Sequence, residues 1–478
     1  MSTEPHDRPG RTLLVTSIAS FMMALDTMVV NTALPVIRID LNASLAALEW
    51  VVNAYTLTFA VLLMSGSALG DRYGRKRMFI AGLGLFALAS MACALAPGSG
   101  VLIASRVLQG VGAALVMPLA MALLGTAYPP QRRAKALGIY GGVTGLAVFG
   151  GPLVGGAIAQ GGAWPWIFWL NLPLAALLMV LAAKWLRESV GPRAPLDVVG
   201  LLLVSASALG LVWGLVRAEA AGWGSLEVAG ALLLGALLGA VFIAWQARAQ
   251  APMMPLRLFR APAFAAGNAA GFLFSASLYG TLFFLAQFFQ VAQGHGPLQA
   301  GLRLFPWTAT LFFVAPAAGA MVARVGERPL VLAGLTLQTI GLAWLAAISR
   351  IDLPYAQMVA PLIVSGAGLS MAMPAAQNAV FGAVAPPEIG KASGVYNTLR
   401  FLGAVLGIAL LAALFTAHGS LHAPADFGRG FVAAMWGAAG FALLATLAGL
   451  GVPARRPNPL SRPAAPNAAV SNPQGASS

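Results

Sequence analysis

The sequence predicts an all-α polytopic membrane protein: two six-helix bundles with two further central helices inserted between them, fourteen transmembrane helices in all. Three observations predict it. Hydrophobic residues make up 59% of the 478 positions and charged residues only 9%, where a soluble domain carries about a quarter. Apolar runs of about 20 residues, long enough to cross a bilayer, recur between short polar connections. Segments of the first half also reappear 252 to 256 residues later.

The opening "MSTEPHDRPGRT" (1–12) is a polar stub expected in the cytoplasm. The apolar run behind it is too long for a signal peptide, and no small-residue cleavage site follows. Helices are then expected at 13–35, 49–69, 78–97, 100–126, 134–159, 165–186, 198–217, 226–247, 263–291, 298–323, 330–348, 355–384, 392–417 and 429–452. Their connections are polar and rich in turn formers: "DRYGRKR" (71–77) divides the second helix from the third, "YPPQRR" (128–133) the fourth from the fifth, and "VGERP" (325–329) the tenth from the eleventh. Residues 453–478, rich in Pro, Ala, Asn and Ser without an apolar stripe, read as a disordered cytoplasmic tail.

The repeat groups these helices. "RYGRKRMFIAGL" (72–83) matches "RVGERPLVLAGL" (324–335), "GVGAALVMP" (110–118) matches "GAGLSMAMP" (366–374), and Tyr140 matches Tyr396. The offset is eight helices. Residues 13–186 therefore form one six-helix bundle, 263–452 the other, and 187–262 a linker carrying the inserted helices 7 and 8. Two such halves around a midplane site are the architecture of a rocking secondary transporter.

Charge sets the expected orientation. Of the 28 Lys and Arg, 21 fall in the even-numbered loops and the two tails, and only Arg38, Arg217, Arg350 and Arg429 lie in or beside odd loops. That bias places both termini in the cytoplasm of a multi-pass protein of the plasma (cytoplasmic) membrane. It also accounts for the net charge of +14 without a nucleic-acid partner. One cysteine, Cys93, excludes internal disulfides and thiolate clusters, and the four histidines lie in tails or loops without ligand spacing, so no metal is expected.

Several motifs stand in order. "LDTMVVNTALP" (25–35) opens the series, followed by "SALGDRYGRK" (67–76), "LIASRVLQGVGAA" (102–114) with Arg106, Gln109 and Gly110, "AVFGGPLVGG" (147–156), and "WPWIFWLNLP" (164–173). This series resembles the major facilitator superfamily, specifically its fourteen-helix drug:proton antiporter family of multidrug and antibiotic resistance exporters. The resemblance covers nearly the whole chain to about residue 452. Three positions depart from the family pattern: Ser67 and Ala147 stand where glycines are usual, and Pro165 replaces an arginine at the sixth-helix entry. The resemblance implies that the loop motif Asp71, Arg72, Gly74, Arg75 and Lys76 gates the transporter, with Asp71 reaching basic groups or helix ends of the other half. It also implies that Gly151, Pro152, Gly155 and Gly156 form the antiporter motif of the fifth helix. Physically, that motif removes side chains and one backbone hydrogen bond, giving a kinked helix that a neighbour approaches closely. Close packing alone is the plainer reading of it, and positive-inside charge the plainer reading of the loop.

Among fourteen acids only Asp26 is deep. It lies about nine residues, roughly 13 Å, from the expected outer end of its helix, and Arg106 enters from the same side about five residues, roughly 8 Å, deep. An intramembrane acid is costly and marks ion pathways. Burial favours its neutral form and a nearby guanidinium its charged form, so opening to a new side can exchange a proton. Asp26 is therefore expected to carry the coupling proton and Arg106 to tune it. The repeat sets apolar Leu282 and Leu362 against them. A purely structural ion pair is the competing reading. No other cofactor is expected.

Asn31, Tyr55, Thr58, Gln109, Gln287, Gln377, Asn397 and Arg400 are candidate cavity residues, although each polar group serves equally as an interhelical hydrogen bond. Arg400 lies about eight residues from the cytoplasmic end of its helix, and Arg303 is expected to snorkel at an outer end. "FFLAQFF" (283–289), Met371 and Met373 offer adaptable apolar surface for a lipophilic substrate or for lipid. The expected function is a proton-coupled exporter of lipophilic small molecules such as drugs or antibiotics, working by alternating access in the lipid bilayer. A metabolite or lipid carrier is the alternative. An intramembrane enzyme or ATP-driven pump is disfavoured by the absence of phosphate-loop, H-E-x-x-H and G-x-S-x-G motifs. A membrane-fusion adaptor joins the candidate partners if the source has two membranes.

Overall fold

The computed structural model describes residues 9–161, 164–191, 196–385, 388–421 and 423–454, and only the backbone at Pro130, Gln131, Ala134, Phe149, Glu219 and Ala323. Residues 1–8 of the stub and 455–478 of the tail lie outside the described residues. All regular structure within them is helical, and fourteen helices are long and apolar enough to span a membrane. The N-terminal six are α1 (Pro9–Asp40), α2 (Leu45–Tyr73), α3 (Arg75–Ala94), α4 (Ser99–Ala127), α5 (Pro130–Gln160) and α6 (Trp166–Trp185). The insert is α7 (Val198–Ala221) and α8 (Leu226–Arg248). The C-terminal six are α9 (Pro262–Ala292), α10 (Pro297–Val322), α11 (Glu327–Ile348), α12 (Tyr355–Gly382), α13 (Ile389–His418) and α14 (Pro424–Gly449).

The first helix is longer than its apolar run predicts. It starts at Pro9, so residues 9–12 of the expected stub are already helical, and it passes through Pro35 to Asp40. Proline at a helix start loses nothing, because the first amides have no intrahelical acceptor. Within the helix Pro35 removes one bond without ending the helix.

The duplication is visible in the packing. Helix α2 packs on α4 as α10 packs on α12, α3 on α4 as α11 on α12, and α1 on α5 as α9 on α13. The repeated glycines explain the shared geometry. A Cβ on Gly110 would lie 2.7 Å from the Tyr55 carbonyl oxygen and one on Gly112 2.8 Å from the Phe86 nitrogen, while their repeat partners Gly366 and Gly368 abut Trp307 and Gln338. Small residues at such crossings let backbones touch where lipid supplies no hydrophobic drive.

The halves meet along α1–α9, α2–α13 and α5–α10. On the face carrying the α1–α2 and α9–α10 loops they are tied by polar bonds: Arg38 to the Leu421 carbonyl at 3.3 Å, Gln290 to the Thr32 carbonyl at 2.9 Å, and the Leu298 amide to Gln160 at 3.3 Å. Toward the opposite face, which carries "DRYGRKR", α5 and α10 part. Gly145 still lies near Leu311, but a Cβ on Gly142 or Gly138 would meet nothing within 4 Å. The insert covers the α2–α13 seam, with Trp213 of α7 against Trp50 of α2 at 6.1 Å between centroids. Helix α8 is the most peripheral span, and Leu226, Leu233, Leu234, Leu237 and Ile243 are exposed on it, as lipid contact requires.

Candidate functional site

Asp26 and Arg106 form an ion pair inside the N-terminal half, each side chain only 1% exposed. They meet although their depths differ from expectation. Because α1 runs to Asp40, Asp26 is fourteen residues from that end, about 21 Å, whereas Arg106 is seven residues into α4, about 11 Å. The extra residues of α1 thus stand beyond the level at which α4 begins.

Five helices close around this pair. Arg106 Nη1 donates to Asp26 Oδ2 and, at 2.8 Å, to Gln109 Oε1, while its Nε donates to the Val51 carbonyl at 3.1 Å. Its guanidinium lies 4.3 Å over the Tyr55 ring. Asn171 Nδ2 donates to Asp26 Oδ1 at 2.9 Å, and Gln109 Nε2 to the same oxygen at 3.3 Å. Ser90 accepts from Gln109 at 2.7 Å and from Asn171 at 3.3 Å, and Cys93 Sγ donates to Gln109 Oε1 at 3.2 Å. Every one of these contacts to the carboxylate comes from an N–H donor, so the arrangement serves an ionised Asp26. A proton added at Oδ2 would face the Nη1–H group, and the pair would have to open first. A buried pair broken by removal of one partner costs about 3–5 kcal/mol, which makes the cluster an all-or-nothing element.

The repeat partners of the pair, Leu282 and Leu362, are buried in apolar packing. The ion pair is therefore confined to one half.

Of the expected cavity residues, only Tyr55 and Gln109 join this cluster. Asn31, Gln287 and Asn397 each donate to the carbonyl four residues earlier in their own helix, at 2.8, 2.8 and 2.9 Å. Thr58 is half-buried beside Gly110, and Gln377 is half-buried on α12. Arg400 stacks on Phe401 in the C-terminal half. Arg303 lies over the Tyr355 ring at 4.7 Å instead of extending alone. The aromatics of "FFLAQFF" line neither lipid nor cavity: Phe283, Phe284, Phe288 and Phe289 are wholly buried, with Phe284 stacked on Phe415 and Phe288 on Phe431. A π-helical turn at Phe288–Ala292 keeps the last of them on the core side. The sequence pattern missed Asn171, Ser90 and Cys93. Asn171 carried a signal, being an amide inside the apolar "WPWIFWLNLP", whereas Ser90 and Cys93 look like ordinary small residues of a membrane helix.

The loop motif is arranged within its own half and against the start of the linker. Asp71 pairs with Arg75 at 2.8 Å and its carbonyl accepts from the Gly191 amide at 3.1 Å. Glu188 accepts the Lys76 and Arg77 amides at 2.9 and 3.2 Å, an anion at the positive end of α3. Gly74 turns the chain between α2 and α3 at φ +106°, and a Cβ there would also meet the Glu188 carboxylate at 2.8 Å. Arg72 is exposed over Tyr73. The contact to the other half expected of Asp71 is absent among the described residues, consistent with the parting of α5 and α10 on this face. The fifth-helix motif packs closely against helices of both halves. Gly151 and Gly155 abut Met28 and Val29 of α1, a Cβ on Gly156 would lie 2.6 Å from the Pro297 carbonyl oxygen of α10, and the Pro152 carbonyl abuts Gly301.

Comparison with known proteins agrees with this architecture. The family model described as the Major Facilitator Superfamily matches residues 16–317 and 268–474. The chain is 34% identical over 438 residues to the tetracenomycin C resistance and export protein of Streptomyces glaucescens, covering 87% of this chain and 81% of that one. It is 34% identical over 432 residues to the methylenomycin A resistance protein of Streptomyces coelicolor, covering 89% and 88%. Among solved structures, a POT family transporter in complex with a thioalcohol-conjugated peptide superposes with a TM-score of 0.68 at 16% identity, over 91% of this chain and 95% of that one. This multi-pass chain is a transporter, not an enzyme, and it belongs to the major facilitator superfamily.

Proposed function

We propose that the protein is a proton-coupled exporter of lipophilic small molecules such as drugs or antibiotics, working by alternating access. The observation that carries the reading is the Asp26–Arg106 pair: a deep acid, fully enclosed, held by donors from α4 and α6, and present in one half only. Relatives named for resistance and export support the choice of cargo. In this reading the protein stands with its "DRYGRKR" face toward the cytoplasm of the plasma membrane, both termini on that side. Halves tied at the outer face and parted at the inner one correspond to an inward-facing state with Asp26 deprotonated. Protonation from the outside, after the halves rock, frees Arg106 from its partner. Return to the inward state releases the proton and restores the pair.

The test is transport into sealed vesicles of reconstituted protein under an imposed pH gradient without ATP. Uphill substrate movement that collapses with the gradient supports the reading, and movement that requires ATP refutes it.

A further inference from the structure

The Asp26 cluster accounts for one membrane-embedded guanidinium. A second, on Arg400, has neither hydrogen bond nor ion pair among the described residues, and its Nε is buried without a partner. Arg400 lies eleven residues into α13, about 16 Å from its start, near the middle of the span. Its guanidinium sits 4.8 Å over the Phe401 ring, whose centroid lies 6.3 Å from that of Tyr279. Phe401 in turn packs edge-on against Phe59 of the other half at 4.6 Å, and Phe59 stacks with Tyr55 at 6.2 Å, beneath Arg106. A row of aromatics thus crosses between the halves with a guanidinium at each end. Asp26 neutralises one end, and nothing among the described residues neutralises the other.

The internal repeat shows that the fold does not need this charge. The position equivalent to Arg400 in the N-terminal half is Thr144, whose hydroxyl simply bonds the Tyr140 carbonyl at 2.9 Å. Tyr140 also shares a 2.7 Å hydrogen bond with Ser20. Its counterpart Tyr396 has Ala276 in place of that serine and a buried hydroxyl without a partner. The C-terminal half has therefore traded a satisfied arrangement for two unmatched donors, at a cost that buried polar groups rarely bear without a role.

We propose that Arg400 is the anion anchor of the substrate site, and that the exported class is flat lipophilic acids. The guanidinium fork takes a carboxylate or phenolate through two parallel hydrogen bonds, and the half-buried faces of Phe401 and Tyr279 take the aromatic body. This rests on the exporter reading and narrows its cargo.

The test uses full-length protein in nanodiscs and two matched probes, 2-naphthoate and 2-naphthamide, measured by equilibrium dialysis at neutral pH. The wild type binds the acid about tenfold more tightly than the amide. Arg400→Gln brings that ratio to about one, and Arg400→Lys, which keeps the charge without the fork, leaves an intermediate ratio. A merely structural role would weaken both probes alike and leave the ratio intact. A wild type that binds neither probe, or shows no preference for the acid, overturns the proposal, as does an unchanged ratio in Arg400→Gln. A pH-gradient transport assay of the same two probes separates the two readings. Driven uptake of the amide with no Arg400-dependent preference sinks the anchor alone, whereas gradient-independent behaviour of every cargo sinks the exporter reading.

Discussion

Replacing Asp26 by asparagine is a nearly isosteric change with a large electrostatic consequence. The asparagine has a single neutral oxygen: turned toward Asn171 and Gln109 it leaves an N–H₂ group facing Arg106, and turned toward Arg106 it leaves the N–H₂ group facing those two donors. The guanidinium, 1% exposed, is then left as an uncompensated charge, which costs about 3–5 kcal/mol. Arg106→Gln strands the carboxylate with a cost in the same range. The two changes together remove both charges, so the double variant is expected to lose about 2–3 kcal/mol less than the sum of the singles. The assay is a double-mutant cycle on unfolding free energies in mixed detergent micelles. Costs that add within about 0.5 kcal/mol would refute the claim that the pair acts as one unit.

Two further outcomes are expected. Gly156→Val places a Cβ 2.6 Å from the Pro297 backbone oxygen, which cannot swing aside. It pushes α5 from α10 on the face carrying the α1–α2 and α9–α10 loops for about 1–3 kcal/mol, so a cysteine introduced at buried Thr32 reacts with an impermeant maleimide at least about fivefold faster. Unchanged labelling contradicts the seal. Asp197, ahead of α7, is partly buried, which pushes its carboxyl up, but donors from Trp245, Gly200, Gln246 and Met253 outweigh this and hold it below the ordinary value of 3.8. A depressed acid stabilises fully above its unfolded value and loses that contribution as pH falls through the folded one. Amide exchange at Gly200 and Met253 is therefore expected to accelerate below about pH 4 in wild type and to be fast and pH-independent in Asp197→Asn, after correction for intrinsic rates.

Hydropathy and charge made the fourteen spans legible, because lipid forces each helix to satisfy its own backbone and be apolar for a set length. The ends were less legible. Pro35 reads as a stop, yet α1 runs on to Asp40, since a proline costs one backbone bond that packed flanking turns can offset. Asp26 and Arg106 stood out because a charge in an apolar run has few ordinary explanations. Asn171 and Ser90, which complete the cluster, did not, because interhelical hydrogen bonds are common in such helices and only tertiary proximity tells which groups converge. The Phe run on α9 misled for the opposite reason. Lipid, cavity and core are all apolar, so composition cannot choose among them, and the π-turn that directs Phe288 and Phe289 inward leaves no pattern of its own.

The central claim is that Asp26 carries the coupled proton, and the most direct measurement is transport by Asp26→Asn in sealed vesicles. This variant is expected still to exchange labelled for unlabelled substrate at equal concentrations, yet no longer to accumulate substrate under an imposed pH gradient. Uphill accumulation by Asp26→Asn with the wild-type dependence on the gradient would contradict it.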